Sequence, residues 1–344
     1  MREISSTLSR WLADGESAGV ATVVRVSGSA PRQIGATFVA TRNGKMAGSV
    51  SNGCVEAQVY EELILAIERN AARLVRYGIS DDFAFSVGLS CGGVIDVLCE
   101  PVLPVHEGAL SAIGNGNSLV LARVLDPVEI AGTRAFLTDQ GRASGFEAAL
   151  GPLHAVAQSV LAAGSSREIT TRLANGSEAT VLLDVVSSPI RLVIVGATDV
   201  AMTLARLGRT LRMEVTIVDP RPALLNAERF GDDVRLILEW PTEALPALQL
   251  GDRTAVVVLS HDSKFDQPAL RAALPSRAVY VGAIGSRRTN EARLSWLREH
   301  GLDEEEIKRL HSPIGLNIGA RSPDEIALAI LAEIIATVRL PRSS

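Results

Sequence analysis

The sequence predicts an α/β protein: an N-terminal mixed α+β domain followed by a C-terminal Rossmann-like, doubly wound parallel sheet. Three observations carry this expectation. After Ser187-Ser188-Pro189, short apolar β-branched runs alternate strictly with helix-periodic segments, the pattern of strands buried on both faces beneath crossover helices. Before it, strand-like runs are joined across Asn43-Gly44 and Asn175-Gly176, which are hairpin turn signals. The length, 344 residues, exceeds what one hydrophobic core usually serves. The expected domains are 1–187 and 188–344, with no internal repeat evident.

The elements follow in order. Ile4, Leu8, Trp11 and Leu12 mark an amphipathic first helix. Strands are expected at 19–27, 36–41, 73–77, 94–99, 118–125 and 134–138, and a hairpin at 167–172 with 179–186. Val55, Val59, Leu63, Ala66 and Ile67 mark a helix to about residue 71, and a second helix is expected at 148–163. In the C-terminal half, strands fall at 191–196, 213–218, 233–238, 254–259 and 278–281. Helices fall at 199–211, near 222–229, at 265–274 and at 286–300. Ser322 caps a last helix with Pro323 at its first position.

Composition removes several classes of function. A net charge of −5 provides no electrostatic footprint for nucleic acid. No apolar stretch reaches the roughly 18–20 residues that span a bilayer, and no apolar export core follows Arg2. Cys54, Cys91 and Cys99 form no CxxC pair, which argues against a structural zinc site and a disulfide framework. A cytoplasmic protein is the expectation.

The most informative segment is Gly48-Ser49-Val50-Ser51-Asn52-Gly53-Cys54-Val55-Glu56. It places a thiol at or near a helix N-terminus, where unpaired N–H groups and the helix dipole favour a thiolate. The glycines and small polar residues Ser49, Ser51, Asn52 and Gly53 let backbone N–H groups reach anionic oxygens. The competing reading is a buried, inert cysteine behind a tight turn. Glu56 is a candidate proton acceptor for Cys54, or simply a first-turn acid suited to the helix dipole. Arg32 is suited to bidentate phosphate binding, and Cys91, in Cys91-Gly92-Gly93, offers a second contact.

The C-terminal domain carries its own loops. Gly196-Ala197-Thr198-Asp199-Val200-Ala201 has the first glycine and closing alanine of G-x-G-x-x-G/A, with Thr198 in place of the middle glycine. Asp219 falls where an acid meets a ribose hydroxyl, or else caps a strand. Ser260-His261-Asp262 and Gly282–Arg288 sit at strand ends where ligands bind in such sheets. Gly285, Ser286 and Arg287 have the make-up of an anion site, and His261 that of a proton donor or ligand, or else of a surface hydrogen-bonder. Pro313–Arg321 is a further Gly/Arg loop.

Taken together, these residues resemble the XdhC/CoxI family of accessory proteins for molybdenum hydroxylases such as xanthine dehydrogenase. The N-terminal match is Gly28–Arg32, Gly35-Ala36, Gly48–Glu56 and Cys91–Gly93. The C-terminal match is His261-Asp262, Tyr280–Arg288, His311–Leu316 and Gly319–Ala327. The resemblance implies a chaperone that binds molybdenum cofactor and delivers it to the large subunit of a molybdenum hydroxylase. It also implies a cysteine desulfurase as the partner that installs a terminal sulfur, Cys54 as metal contact, and a homodimer. The family's usual Gly-Ala-Gly-His turn is Gly196-Ala197-Thr198-Asp199 here. Two alternatives compete: an NAD(P)-dependent oxidoreductase using Gly196, Asp219 and His261, and a scaffold that docks the molybdoenzyme without binding small molecules.

Overall fold

A computed structural model describes residues 1–78, 92–146, 150–260 and 262–339. The chain divides into two compact units, Met1–Ser188 and Pro189–Ser344. No helix among the described residues is long and apolar enough to cross a membrane.

The first unit opens with α1 (Ser5–Ala13). A five-stranded antiparallel sheet follows, from β1 (Ala18–Ser27), β2 (Thr37–Thr41) and β3 (Met46–Gly48), then α2 (Glu56–Arg69), β4 (Arg73–Tyr77) and β5 (Val94–Pro101). Its order is β3-β2-β1-β5-β4. Ala21 and Val23 of β1 pack with Val59 and Leu63 of α2. Val20, on the opposite face, packs with Leu8 of α1, as period-two alternation requires. Asn43-Gly44 closes the β2–β3 hairpin, with Gly44 at φ +83°.

A second sheet repeats the plan. After α3 (Pro104–Gly114) come β6 (Leu119–Asp126), β7 (Gly132–Thr138), β8 (Ala143–Ser144), α4 (His154–Ala163), β9 (Arg167–Arg172) and β10 (Glu178–Val186). The order β8-β7-β6-β10-β9 matches the first sheet strand for strand. Gly48 ends the third strand of the first sheet and Gly145 directly follows the third strand of the second, at φ +77° and +84°. A Cβ at either would strike a carbonyl of the second strand, Thr37 O at 2.2 Å or Arg134 O at 2.0 Å. The absence of a visible repeat is thus corrected. The repetition lies in strand order and backbone demands, which many side chains satisfy.

The second unit runs β11 (Arg191–Val195), α5 (Asp199–Thr210), β12 (Glu214–Val218), α6 (Ala227–Phe230), β13 (Arg235–Ile237), α7 (Pro241–Ala247), β14 (Thr254–Val258), α8 (Ser263–Ala273), β15 (Tyr280–Ala283), α9 (Arg287–Glu299), α10 (Glu304–Lys308), β16 (Leu310–His311) and α11 (Pro323–Arg339). The six strands are parallel, in the order β13-β12-β11-β14-β15-β16. This is the Rossmann order, with the crevice between β11 and β14 at the switch point. Leu192 and Ile194 face the α5–α11 layer, while Val193 and Val195 face α8 and α9, so both faces are covered. Thr198, Asp262, Ser286 and Ser322 each cap a helix through a side-chain oxygen.

Three differences from expectation have local causes. The helix expected near 222–229 shrinks to four residues, because Pro220 and Pro222 disrupt regular pairing at its start. Helix α4 begins at His154 after a 3₁₀ turn at Gly151–Leu153. Helix α3 was not anticipated; Pro104 occupies its first position, and Ala109, Leu110, Ala112 and Ile113 face the core of the first unit.

Candidate functional site

The Cys54 loop spans β3 and α2. Its shape is set by Glu56, the first residue of α2, whose carboxylate folds back into the loop. Oε1 accepts from Ser49 Oγ (2.6 Å), Val50 N (3.1 Å) and Ser51 N (2.9 Å). Oε2 accepts from Ser51 Oγ and from Gly53 N (2.8 Å). Ser49 Oγ accepts from Asn52 N (2.8 Å), and Ser51 Oγ from Val55 N (2.9 Å). Asn52 and Gly53 take positive φ, +58° and +105°, which turns the chain back toward the helix. Burial alone would raise the Glu56 pKa. The hydrogen bonds from Ser49, Ser51 and the backbone outweigh it and hold the group at about 2.

Two expectations give way here. The amides of Val50, Ser51 and Gly53 are filled by the protein's own carboxylate, so they do not form an open anion cradle. A carboxylate with a pKa near 2 and five donors is also poorly suited to take a proton from Cys54. Its geometry is that of a clamp. The Cys54 thiol is half-buried and packs beside the core that includes Ala36, Val50 and Val55. Cys99, by contrast, is fully buried on β5, and burial pushes its thiol pKa far up.

Asn52 Nδ2 donates to Pro31 O (3.4 Å), tying the Cys54 loop to the segment that carries Arg32. Pro31, Arg32 and Gly35 line a cavity of about 490 Å³, whose other walls include Glu3, Asp184 and Ser187. One amino group of Arg32 pairs with Glu3, so an incoming phosphate must share that guanidinium. Asp184 is nearly inaccessible; its Oδ2 accepts from Arg123 Nε (3.3 Å). Gly35, at φ +86°, leaves space that a Cβ would close, 2.9 Å from Asp184 Oδ1.

Behind Asp184 lies a buried charge cluster. Arg123 Nη1 donates to Glu100 Oε1 (3.1 Å) and Thr133 Oγ1 (2.5 Å). His106 Nδ1 accepts from Leu103 N (3.0 Å), which leaves Nε2 protonated, 3.3 Å from Glu100 Oε1. Sequence reasoning missed Asp184, Arg123 and Glu100. Single charges within strands carried no signal, because their partners are far apart in the chain.

In the second unit the Gly196 turn is closed by its own neighbours. Asp219 Oδ2 accepts from Ala197 N (2.8 Å), and the same carboxylate grips Arg221. Burial opposes its ionisation, but Arg221 and the two amides hold the carboxyl below its usual pKa. Arg229 bonds Ala197 O (3.0 Å) and Asp199 (3.1 Å). A Cβ on Gly196 would sit 2.8 Å from Ser260 N, so this glycine serves the close approach of the two switch-point loops. The expectation that Asp219 stands open for a ribose hydroxyl is therefore corrected.

Gly285, Ser286 and Arg287 lie together at the start of α9. Asn290 and Arg293, the latter paired with buried Asp266 (2.8 Å), lie beneath Gly285. Cys91 and His261 lie outside the described residues. The predicted site residues thus form two groups, one in each unit. Among the described residues no three His, Cys, Asp or Glu side chains are placed to hold a metal ion.

Fold and site define a protein with two ligand-suited units, a clamped thiol loop on paired antiparallel sheets and a Rossmann sheet. Residues 11–78 match the model of the XdhC and CoxI family, and residues 192–334 that of the XdhC Rossmann domain. The chain belongs to the XdhC and CoxI family. It is 30% identical over 330 residues to the molybdenum cofactor insertion chaperone PaoD of Escherichia coli K12, covering 96% of this chain and 86% of that one. It is 28% identical over 344 residues to a probable xanthine dehydrogenase subunit of Bacillus subtilis 168, covering 98% of each. A crystal structure described as a xanthine dehydrogenase from Bacillus halodurans shares the fold, with a TM-score of 0.78 at 24% identity over 99% of this chain and 97% of that one.

Proposed function

We propose that this protein is a carrier for molybdenum cofactor, which it holds at the Cys54 loop and passes to the large subunit of a xanthine dehydrogenase-type molybdenum hydroxylase. The observation that carries the reading is the half-buried Cys54 thiol on a loop locked by Glu56, tied through Asn52 to the Arg32-lined cavity. Family membership and the name of the Escherichia coli relative support it.

The donor set suits such cargo. The cofactor brings a metal already chelated by pterin sulfurs, together with a phosphate, so one soft thiol suffices from the protein. Cys54 supplies that thiol, to the metal or to sulfur delivered by a cysteine desulfurase. Ser49, Ser51 and Gly53 hold the thiol's position through Glu56, and Asn52 through Ser49 Oγ and Pro31 O. Arg32 attracts the phosphate in competition with Glu3.

Anaerobic purification from a host that makes molybdenum cofactor tests the reading, with molybdenum counted by mass spectrometry and pterin by fluorescence after oxidation. Wild type should carry both near stoichiometry, and Cys54→Ala should lose at least tenfold. Cofactor-free wild type from a host shown to make the cofactor would overturn the proposal in favour of a docking scaffold.

A further inference from the structure

We propose that the C-terminal edge of the Rossmann sheet is a self-complementary surface through which two copies of this chain associate about a two-fold axis. It does not rest on the Cys54 reading. The edge carries two exposed apolar patches of opposite charge. The first follows β16. Leu316 and Ile318 are 43% and 53% exposed, and both help to wall an apolar cavity of about 550 Å³. The backbone beside it is pinned, with Gly315 N donating to Glu333 Oε2 (2.8 Å) and Leu316 N to Ala329 O (3.2 Å). Arg321 directly follows the lining residue Ala320, and Arg287 and Arg288 follow the lining residue Gly285 by two and three positions. All three arginines are exposed and make no ion pair among the described residues. The nearest acids along the chain are engaged. Glu325 accepts from the amides of Arg321 (2.7 Å) and Ser322 (2.9 Å), and Asp324 from Thr203 and Arg206. This patch is therefore basic in a chain of net charge −5.

The second patch follows β13. Leu238 and Trp240 are 53% and 45% exposed. The Trp240 ring stacks on buried Phe265, with centroids 4.8 Å apart and planes 9° apart, which fixes the indole in place with one face outward. Glu239 and Glu243 flank it in the chain, exposed and without an ion pair among the described residues. Arg221, over the Phe265 ring, is already held by Asp219. A preorganised tryptophan between carboxylates is the counterpart of an apolar cavity flanked by arginines, in shape and in charge.

Topology makes the two patches self-complementary. β13 and β16 are the outermost strands of one parallel sheet, so both patches lie at its C-terminal edge. Five steps of about 4.8 Å separate the two strands by about 24 Å. A two-fold axis perpendicular to the sheet, midway between them, sets the first patch of each copy against the second patch of the other. The same contact is then made twice, as a closed dimer requires. Exposed apolar patches of this kind mark association surfaces. A membrane surface fits less well, since it offers no side chain for the cavity and repels Glu239 and Glu243.

Sedimentation equilibrium of the full-length protein tests the surface. Wild type should be a dimer at about 10 µM. One variant carries Arg287→Glu with Arg288→Glu, and a second carries Glu239→Arg with Glu243→Arg, all at exposed positions. Each alone should raise the dimer Kd at least tenfold, because like charges then meet at both contacts. An equimolar mixture of the two should recover wild-type affinity to within about threefold. In the mixed dimer one contact is native and the other has both signs reversed. Such recovery needs both variants folded, which circular dichroism checks separately. Ile318→Asp should weaken every one of these dimers. A wild-type monomer at that concentration, an assembly larger than a dimer, a dimer indifferent to both charge reversals, or folded variants that fail to rescue each other would each overturn the proposal.

Discussion

Replacing Glu56 by glutamine should loosen the Cys54 loop and leave the sheet beneath it intact. Glutamine retains the size of the side chain and one acceptor. Its amide nitrogen, however, faces donors that the second carboxylate oxygen now accepts, Gly53 N–H among them. The magnitude follows from linkage. A pKa held at about 2 against 4.5 sets an upper bound of about 3 kcal/mol at neutral pH. The carboxylate is only partly buried, so water screens it and about 1–2 kcal/mol is the better figure. That corresponds to roughly 5–30-fold more frequent local opening. Hydrogen exchange reads it directly: the amides of Val50, Ser51 and Gly53 should lose that protection, while those of β1 and β5 keep theirs. The folded pKa is depressed, so the contribution is complete above the ordinary pKa and lost as pH falls through the folded one. The wild-type advantage should therefore shrink between about pH 4.5 and 2. Unchanged exchange in the loop would refute the clamp, and a uniform loss across the unit would show that Glu56 supports the whole fold instead.

Gly48→Ala places a methyl 2.2 Å from Thr37 O at a positive φ, and should lower the stability of the first unit by more than about 2 kcal/mol. Gly145→Ala should cost a similar amount for the same reason, and a thermal midpoint indistinguishable from wild type for either would contradict the repeat's backbone logic. Arg123→Met leaves Glu100 and Asp184 buried without their cation. Urea unfolding should show a loss of about 3–5 kcal/mol, partly recovered by adding Glu100→Gln; no loss would mean the cluster is not ionised as drawn.

Much of the fold was legible because it rests on local signals. Alternating apolar strands and helix-periodic segments marked the parallel sheet, and Asn43-Gly44 and Asn175-Gly176 fixed two hairpins by their demand for positive φ. Ser322 announced its helix by capping chemistry, with Pro323 behind it. Helix α3 went unseen because Gly108 and Gly114 weaken its propensity, and its formation depends on the core it covers. The repeated sheet went unseen because it is written in strand order and in two glycines.

The candidate site shows the same division. The sequence by itself determined that a thiol, small polar residues and a carboxylate gather before α2, and that glycine-rich loops gather at the ends of parallel strands. Those are neighbours along the chain, and spacing is enough to place them. Only the tertiary structure decided which donors were already taken. Glu56 fills the amides of its own loop, Asp219 closes the Gly196 turn, and Asp184 reaches the Arg32 cavity from a strand far along the chain. Hydrogen-bond capacity is finite, and whether a group is spent within the protein or left for a ligand depends on partners that only folding brings within about 3 Å.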